Sequence, residues 1–293
     1  MGIESPSTQS IDVSKKRKFL NLILQKFDIA LMRHKTYSTL ADDNKHLYRL
    51  MQLDSREMSN DFVAYIIKNC KSSSSQLYQD LFVLYVTNKY LVAAELNKPF
   101  VFIEFGACDG IFFSNSFLLE KNNWIGVIAE PAKKWHKELF ENRNCMISTK
   151  AVSAISGEEL LFLETKDAEF SSLSKNSQKD NFADYRMKNT TKSYKVESIS
   201  LNDLISESGI MQKITYLSMD TEGGELEILQ QFDFEKWSPA IITIEHNFSE
   251  MASTIHDFLA IKGYVSVLAS ISRFESWFIH VDQIRIPKND FLL

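Results

Sequence analysis

The chain has 293 residues, with 33 Lys and Arg against 38 Asp and Glu, which gives a net charge of −5. This length allows one large domain, or a domain with an extension. The acidic balance argues against a nucleic-acid partner, because non-specific binding of nucleic acid requires dense Lys and Arg. The three cysteines are widely spaced and odd in number. They predict neither a disulfide framework nor a C-x-x-C zinc site, and we expect a reducing, cytoplasmic setting.

Residues 1–74 predict a helical N-terminal extension. The first dozen residues are polar and are expected to be disordered, whereas residues 13–70 contain no glycine and few strand formers. Within them, residues 15–32 join a basic cluster to an apolar stretch that polar residues interrupt, so this stretch is too short and too polar to span a bilayer. We prefer the interpretation in which this helix packs on the domain or on a second subunit of a homo-oligomer. The alternative is peripheral contact with an anionic membrane surface.

The first predicted strand of an α/β sheet is the apolar run 101–105, which leads into Gly106 and Gly110. Glycines in such a turn let a ligand come close to the main chain. A second apolar run, residues 125–129, ends at Glu130. A carboxylate at the end of the second strand is where a nucleotide-type ligand has its ribose hydroxyls held. The two runs therefore predict the nucleoside-binding half of a doubly wound α/β fold.

The glycine pattern of this turn narrows the class of ligand. A dinucleotide fingerprint requires G-x-G-x-x-G, so that pyrophosphate can sit on a helix N-terminus. This chain instead has Glu104-x-Gly106-x-x-x-Gly110, with a further acid at Asp109. Extra carboxylates repel a pyrophosphate but suit S-adenosylmethionine (SAM), which carries a sulfonium, an ammonium and a ribose. The alternative is a tight turn whose acids cap the following helix.

Two later segments also end in polar side chains. A strand predicted near 215–219 ends at Asp220, before a glycine turn and a helix, and a strand near 240–245 ends in Glu245 and His246. Ligands of open α/β sheets bind outside the carboxyl ends of the strands. Four strand ends that deliver acids, one of them with a histidine, are a more specific signal than any single motif.

A series of motifs follows one order along about residues 75–250. They are Ser75-Gln76 with Gln79-Asp80-Leu81-Phe82, the run from Phe102 to Asn115, Asn123-Trp-Ile-Gly-Val-Ile-Ala-Glu-Pro131, Ser171-Ser-Leu173, the run from Val196 to Leu204, Met219-Asp-Thr-Glu-Gly-Gly-Glu225, and Ile244-Glu-His246. With these motifs the chain resembles the FkbM family of SAM-dependent methyltransferases. It departs from the family at Gly224, where alanine is more frequent, and this departure lowers helix propensity slightly.

The resemblance implies a Rossmann-like class I methyltransferase domain over residues 75–293. Its sheet is expected to be seven-stranded and mostly parallel, with an antiparallel final hairpin. Apolar runs predict its strands near 101–105, 125–129, 146–151, 160–164, 215–219, 240–245, 263–268 and 277–281. The polar segment 165–194 lacks periodicity and is expected to be a lid that binds an acidic or glycosidic acceptor, or else a solvated insertion.

The predicted cofactor site lies at these strand ends. Glu130 is expected to hold the ribose, with Pro131 beside the adenine and Ser153 near it. Asp109 either lines the methionine half of the site or caps a helix. The candidate cofactor-binding residues are Glu104, Gly106, Ala107, Asp109, Gly110, Asn115, Glu130, Pro131, Ser153 and Asp220.

Methyl transfer to a hydroxyl requires in-line positioning and removal of the hydroxyl proton. His246 is the predicted general base because imidazole titrates near neutrality, and Asp220 and Glu245 are further catalytic candidates. The alternative for His246 is a histidine that is hydrogen-bonded in the core. Asp220, Glu245 and His246 are also candidate ligands of Mg²⁺ or Mn²⁺, because hard cations prefer carboxylate oxygens. Without metal, Asp220 would orient the methionine moiety or the acceptor.

The sequence therefore predicts a cytoplasmic SAM-dependent O-methyltransferase that acts on a hydroxyl of a carbohydrate or glycosylated acceptor. One alternative is a methyltransferase for another small-molecule or lipid nucleophile. Another is a non-catalytic SAM-binding module tethered by its N-terminal helices. The full set of strand-end acids argues against this last alternative.

Overall fold

The computed structural model describes residues 58–92, 98–179, 181–247 and 251–287. The described residues all belong to one of the two units into which the chain divides, Asp54–Leu293. The predicted disordered start, the basic segment 15–32 and most of the predicted N-terminal extension lie outside the described residues.

The described part alternates strands and helices. Its strands are β1 (Val101–Phe105), β2 (Ile125–Ala129), β3 (Met146–Ser148), β4 (Ala151–Ser153), β5 (Glu159–Thr165), β6 (Ser172–Leu173), β7 (Thr190–Ser200), β8 (Tyr216–Met219), β9 (Ile241–Glu245), β10 (Tyr264–Val267) and β11 (Glu275–His280). Its α-helices are α1 (Asn60–Asn69), α2 (Gln79–Tyr90), α3 (Phe117–Lys121), α4 (His136–Asn142), α5 (Ala183–Asn189), α6 (Leu201–Glu207), α7 (Glu225–Gln231), α8 (Met251–Ile261) and α9 (Ala269–Ser272). Short 3₁₀ turns cover Cys70–Ser72 and Ala168–Phe170.

The main sheet has seven strands in the order β10-β11-β9-β8-β1-β2-β3. The five strands from β9 to β3 are parallel, and β11 runs antiparallel to both β9 and β10. This order confirms the predicted mostly parallel sheet with an antiparallel final hairpin. Every residue of β1 and β8 is buried, as expected for apolar strands that are covered on both faces. The carboxyl ends of β2, β1, β8 and β9 therefore meet at one edge.

A second sheet of four strands has the order β4-β7-β5-β6. The strand predicted over residues 146–151 is in fact two strands, because the chain leaves the main sheet after Ser148 and β4 pairs with β7 instead. The sequence pattern does not predict β7. Its first half, residues 190–195, is almost fully exposed and polar, so it carries no apolar alternation.

The polar segment 165–194 has more structure than a lid-like loop. It contains the second 3₁₀ turn, β6, α5 and the first residues of β7. Among the described residues, no helix combines the length and the apolar character that crossing a bilayer requires.

Candidate active site

Two cavities lie at the carboxyl ends of the parallel strands. The large cavity has a volume of about 260 Å³ and reaches from the turn after β1 to Gln79 on α2 and Glu275 on β11. The small cavity, of about 50 Å³, lies beside Glu130 and Pro131 after β2. They share six lining residues: Phe105, Gly106, Cys108, Glu169, Asp220 and Glu222. The two cavities therefore adjoin where the ends of β1 and β8 meet.

The turn after β1 requires glycine at its first position. Gly106 has a φ of +81°, and a Cβ there would lie 2.5 Å from the carbonyl oxygen of Asp220. Its N–H donates to the carbonyl of Ala129 at the end of β2, at 3.2 Å. The turn is thus in close contact with the ends of both neighbouring strands, β2 and β8. Because glycine has no side chain, the main chain itself lies at the junction of the two cavities.

Glu104 organises the loop that follows this turn. Its carboxylate accepts hydrogen bonds from the hydroxyls of Ser114 (2.8 Å) and Ser116 (2.5 Å) and from the N–H of Asn115 (2.5 Å). The guanidinium of Arg143 lies 3.6 Å away on the buried side. Glu104 lines the large cavity, but these groups already use its carboxylate oxygens. Its main local effect is to fix the loop.

Glu130 is buried at the wall of the small cavity. It accepts hydrogen bonds from the N–H of Cys108 (2.9 Å) and of Ala132 (2.7 Å). Burial raises the pKa of Glu130 to about 7, while these two hydrogen bonds act in the opposite direction. The Glu130 carboxyl is therefore held at the end of β2, where a ribose is expected.

Three carboxyl groups come together at the ends of β8 and β9. Ligand atoms of Asp220, Glu222 and Glu245 all lie within 4.8 Å of one another. Burial raises the pKa of both Asp220 and Glu245, and the proximity of Asp220 raises that of Glu245 further. The Oδ1 atom of Asp220 is buried and accepts no hydrogen bond. The three carboxyl groups together therefore require a proton, a cation or a hydrogen-bond donor to offset their negative charge.

Arg186 on α5 compensates one of these carboxylates, and the sequence analysis does not identify it. Its side chain is 1% exposed, and its Nη2 is ion-paired with Glu222. Arg186 Nε also donates to the carbonyl of Phe170 at 2.9 Å. Asn247 after β9 donates to the same oxygen of Glu222 at 3.1 Å. No local sequence signal distinguishes this buried arginine from the solvated cations around it.

Glu275 is the second site residue that the sequence analysis misses. It lies directly opposite Glu245 in the antiparallel pair of β9 and β11. Its carboxylate accepts hydrogen bonds from Gln79 Nε2 and from Trp277 Nε1, the latter at 2.9 Å. Burial raises the pKa of Glu275 to about 7. Gln79 belongs to one of the motifs noted above, and its contact with Glu275 gives that motif a structural role.

His246 is not among the described residues that line the large cavity. Successive residues at a strand end point to opposite sides, so His246 turns away when Glu245 turns inward. It lines a neighbouring narrow space of about 10 Å³ together with Lys179, Met251 and two members of the carboxyl cluster, Glu222 and Glu245. Burial lowers the pKa of His246, which is partly offset by a hydrogen bond to the main chain of Glu275. The roles of His246 as general base or metal ligand stay predictions, and the structure places it outside the junction of the two cavities.

A sequence profile described as the methyltransferase FkbM domain matches residues 104–266, which is more than half of the chain. The chain belongs to the FkbM methyltransferase family. No curated protein matches it.

Two solved methyltransferases are distantly similar to this FkbM-family chain. Precorrin-6y C5,15-methyltransferase from Geobacter metallireducens is 13% identical, with 64% of this chain and 72% of that chain covered and a TM-score of 0.35. The ribosomal protein L11 methylase from Lactobacillus delbrueckii subsp. bulgaricus is 9% identical, with 70% and 80% covered and a TM-score of 0.36. Likenesses at this level carry no argument about function.

The structure divides the predicted cofactor residues of this FkbM methyltransferase into two groups. The first group lines one or both cavities: Glu104, Gly106, Asn115, Glu130, Pro131 and Asp220. The second group, Ala107, Asp109, Gly110 and Ser153, is not among the described lining residues.

The second group shapes the surroundings of the cavities. Asp109 accepts hydrogen bonds from two N–H groups of its own turn, and the N–H of Gly110 donates to the carbonyl of Ala107 at 2.8 Å. Ser153 accepts a hydrogen bond from Lys175 at 3.0 Å. The bonds of Asp109 lie within the turn and not at the start of α3, so they show neither of its two predicted roles. The cofactor roles of all ten residues remain predictions.

Proposed function

We propose that this protein is a SAM-dependent O-methyltransferase whose acceptor is a hydroxyl of a carbohydrate or glycosylated small molecule. Its family gives the reaction class. The observation that carries the proposal is the junction of the two cavities at Gly106 and Asp220. A bound nucleoside in the small cavity and an acceptor in the large one would meet there, beside carboxyl groups whose pKa is raised.

The residues at this junction fit the cofactor. Glu130 would hold the ribose, the main chain at Gly106 would permit close approach, and the unpartnered Oδ1 of Asp220 would accept from the ammonium. When bound, SAM supplies an electrophilic methyl group. The protein's contribution is to hold the acceptor oxygen in line with that methyl and to exclude water.

Removal of the hydroxyl proton is assigned to the carboxyl pair Asp220 and Glu245. Burial raises the pKa of both groups, that of Asp220 to about 6, and a base with a higher pKa accepts a hydroxyl proton more readily. The ring of Phe113 lines the same cavity and would help to keep it dry. His246, which lies elsewhere, is not needed in this scheme.

A divalent cation is the alternative means of activating the hydroxyl. Oxygen ligands for Mg²⁺ or Mn²⁺ would come from Asp220, Glu222 and Glu245, with no contribution from His246. Thorough treatment with EDTA decides between the two schemes. Activity that survives chelation excludes an essential accessible cation, and activity that returns only with added Mg²⁺ excludes the metal-free base.

Calorimetric titration with S-adenosylhomocysteine tests the cofactor assignment. We expect micromolar binding to the wild type. Glu130→Gln should weaken binding about tenfold, because a charged acceptor for the ribose is lost. Glu138→Gln, at an exposed position on α4, is the matched control and should bind like the wild type. Absence of binding to the folded wild-type protein would overturn the proposal and revive the non-catalytic alternative.

A further inference from the structure

The charged side chains described around the large cavity are all acidic. Among the described residues that line it there is no Lys, Arg or His, but there are six carboxylates: Glu104, Glu169, Asp220, Glu222, Glu245 and Glu275. Two of the six have cationic partners behind the wall, since Glu104 lies near Arg143 and Glu222 pairs with Arg186. The other four form no salt bridge with any described residue.

Apart from Arg186, which pairs with Glu222, the described basic residues of segment 165–194 do not supply the missing positive charge. Lys179 forms a salt bridge with Glu227 at 2.6 Å, outside the large cavity. Lys192 lies 3.4 Å from Glu164 on the second sheet. An acceptor with a carboxylate or phosphate group would therefore meet several carboxylates and no cation. This argues against the acidic acceptor that the composition of the segment suggests.

The cofactor would also leave this charge incompletely balanced. SAM has a sulfonium and an ammonium but also a carboxylate, so it adds only one net positive charge. Asp220 and Glu245 share a hydrogen bond and therefore a proton, so the four carboxyl groups without a salt bridge hold up to three negative charges, which exceed that amount. Like charges in a region of low dielectric are costly unless a proton or a cation neutralises them. The large cavity has room for a further positive group on the acceptor.

Glu245 and Glu275 are the best-placed pair for such a group. They are direct neighbours across β9 and β11, and the donors Gln79 and Trp277 hold Glu275 in position. Two acids opposite each other in a sheet destabilise it unless something lies between them. The cavity wall also carries phenylalanine rings, including Phe274, the residue before Glu275. Carboxylates and aromatic rings together are the usual surroundings of a bound ammonium.

We propose that the acceptor carries a protonated amino group close to the hydroxyl that is methylated, as an amino sugar does, and that Glu245 and Glu275 bind this ammonium. The inference rests on the proposed function, since it names the substrate class of the same site.

The test compares three sugars that differ in charge: glucosamine, glucose and glucuronic acid. Each is titrated against the protein with and without saturating S-adenosylhomocysteine, and thermal protection and calorimetric affinity are measured. We expect glucosamine to bind about tenfold more tightly than glucose, and glucuronic acid to give no protection. Glu275→Gln should remove most of the difference between glucosamine and glucose. Glu159→Gln, an exposed substitution on β5, should preserve it.

The outcomes separate the two proposals. If S-adenosylhomocysteine binds but glucosamine has no advantage over glucose, or no sugar protects, the ammonium site is refuted and the methyltransferase proposal stands. If Mg²⁺ alone protects and cancels the effect of glucosamine, the carboxylates bind a metal, and the inference fails. If S-adenosylhomocysteine does not bind, the proposed function fails, and the titrations without it still report on the ammonium site. Retained S-adenosylhomocysteine affinity in Glu275→Gln shows that the variant folds, and Glu245→Gln provides a second test.

Discussion

Gly106 and Gly157 have nearly the same backbone conformation, with φ of +81° and +80°, but different surroundings. A Cβ on Gly106 would lie 2.5 Å from the carbonyl oxygen of Asp220, whereas Gly157 has no atom within 4 Å of that position. Gly157→Ala should cost about 1 kcal/mol of unfolding free energy, the usual penalty of a left-handed conformation. Gly106→Ala should cost clearly more and weaken S-adenosylhomocysteine binding. Urea unfolding and calorimetry measure both; equal losses of stability would mean that the turn is not pressed against β8.

Glu275 gives the free protein a pH dependence with a definite sign. Burial raises its pKa from 4.5 to about 7, so between these values the native chain holds a proton that the unfolded chain has lost. The contribution of Glu275 to the free energy of unfolding is therefore fully present below pH 4.5 and is lost as the pH rises through about 7. Its full size is roughly 3 kcal/mol, at 1.36 kcal/mol per pKa unit.

Urea unfolding of the wild type and of Glu275→Gln between about pH 5 and pH 8 measures this contribution. The variant should lose part of the slope. Glu130, whose pKa is also raised to about 7, should keep a slope of the same sign. An unchanged slope in the variant would show that Glu275 ionises normally in the native state.

At the residue scale, the sequence predicts those site residues that directly follow an apolar run. Glu130, Asp220 and Glu245 are of this kind, because the end of a buried strand is visible in the sequence. Arg186 and Glu275 are not, since their burial depends on contacts with partners distant in the chain, Glu222 and Gln79. His246 illustrates the remaining difficulty: one step along the chain at a strand end changes the side to which a residue points.

At the scale of elements, the pair Arg186 and Glu222 joins α5 to the turn after β8. Both side chains are buried, with 1% and 6% exposed. Arg186→Met would leave a buried carboxylate without its partner, and we expect a loss of about 3–5 kcal/mol in unfolding free energy. Glu222→Gln combined with Arg186→Met should recover a large part of that loss. A double-mutant cycle in urea gives the coupling energy, and a value near zero would contradict this role.

The elements that the sequence predicts least well belong to the second sheet. The carboxyl edge of the main sheet is predictable because β1, β2, β8 and β9 are mostly apolar and mostly buried. The sequence does not predict β7, because its exposed half, Thr190-Thr-Lys-Ser-Tyr-Lys195, has no apolar face. The sequence does not separate β4 from β3, because only two polar residues lie between these strands. Pairing with distant strands, rather than local pattern, decides these two cases.

At the scale of the whole molecule, the cavities connect the main sheet to segment 165–194. Glu169, Ser172 and Leu173 line the small cavity together with residues of the main sheet. A ligand there should slow amide exchange around residues 169–173 as well as in the turn after β1. Hydrogen exchange with and without S-adenosylhomocysteine measures this. The amides of α6 serve as the internal reference, and exchange that slows only in the main sheet would mean that the segment takes no part in binding.

The central position of β1 has a consequence for how the protein is made. Its partner β8 lies far along the chain, since the contacting groups Val101 and Thr215 are 114 positions apart. At the usual rates of translation, β8 leaves the ribosome on the order of ten seconds after β1. During this time β1 can pair with β2 on one side only. A nascent chain that stops before residue 216 presents the unpaired N–H and C=O groups on the other edge of β1 to its neighbours, and such an edge is a template for aggregation.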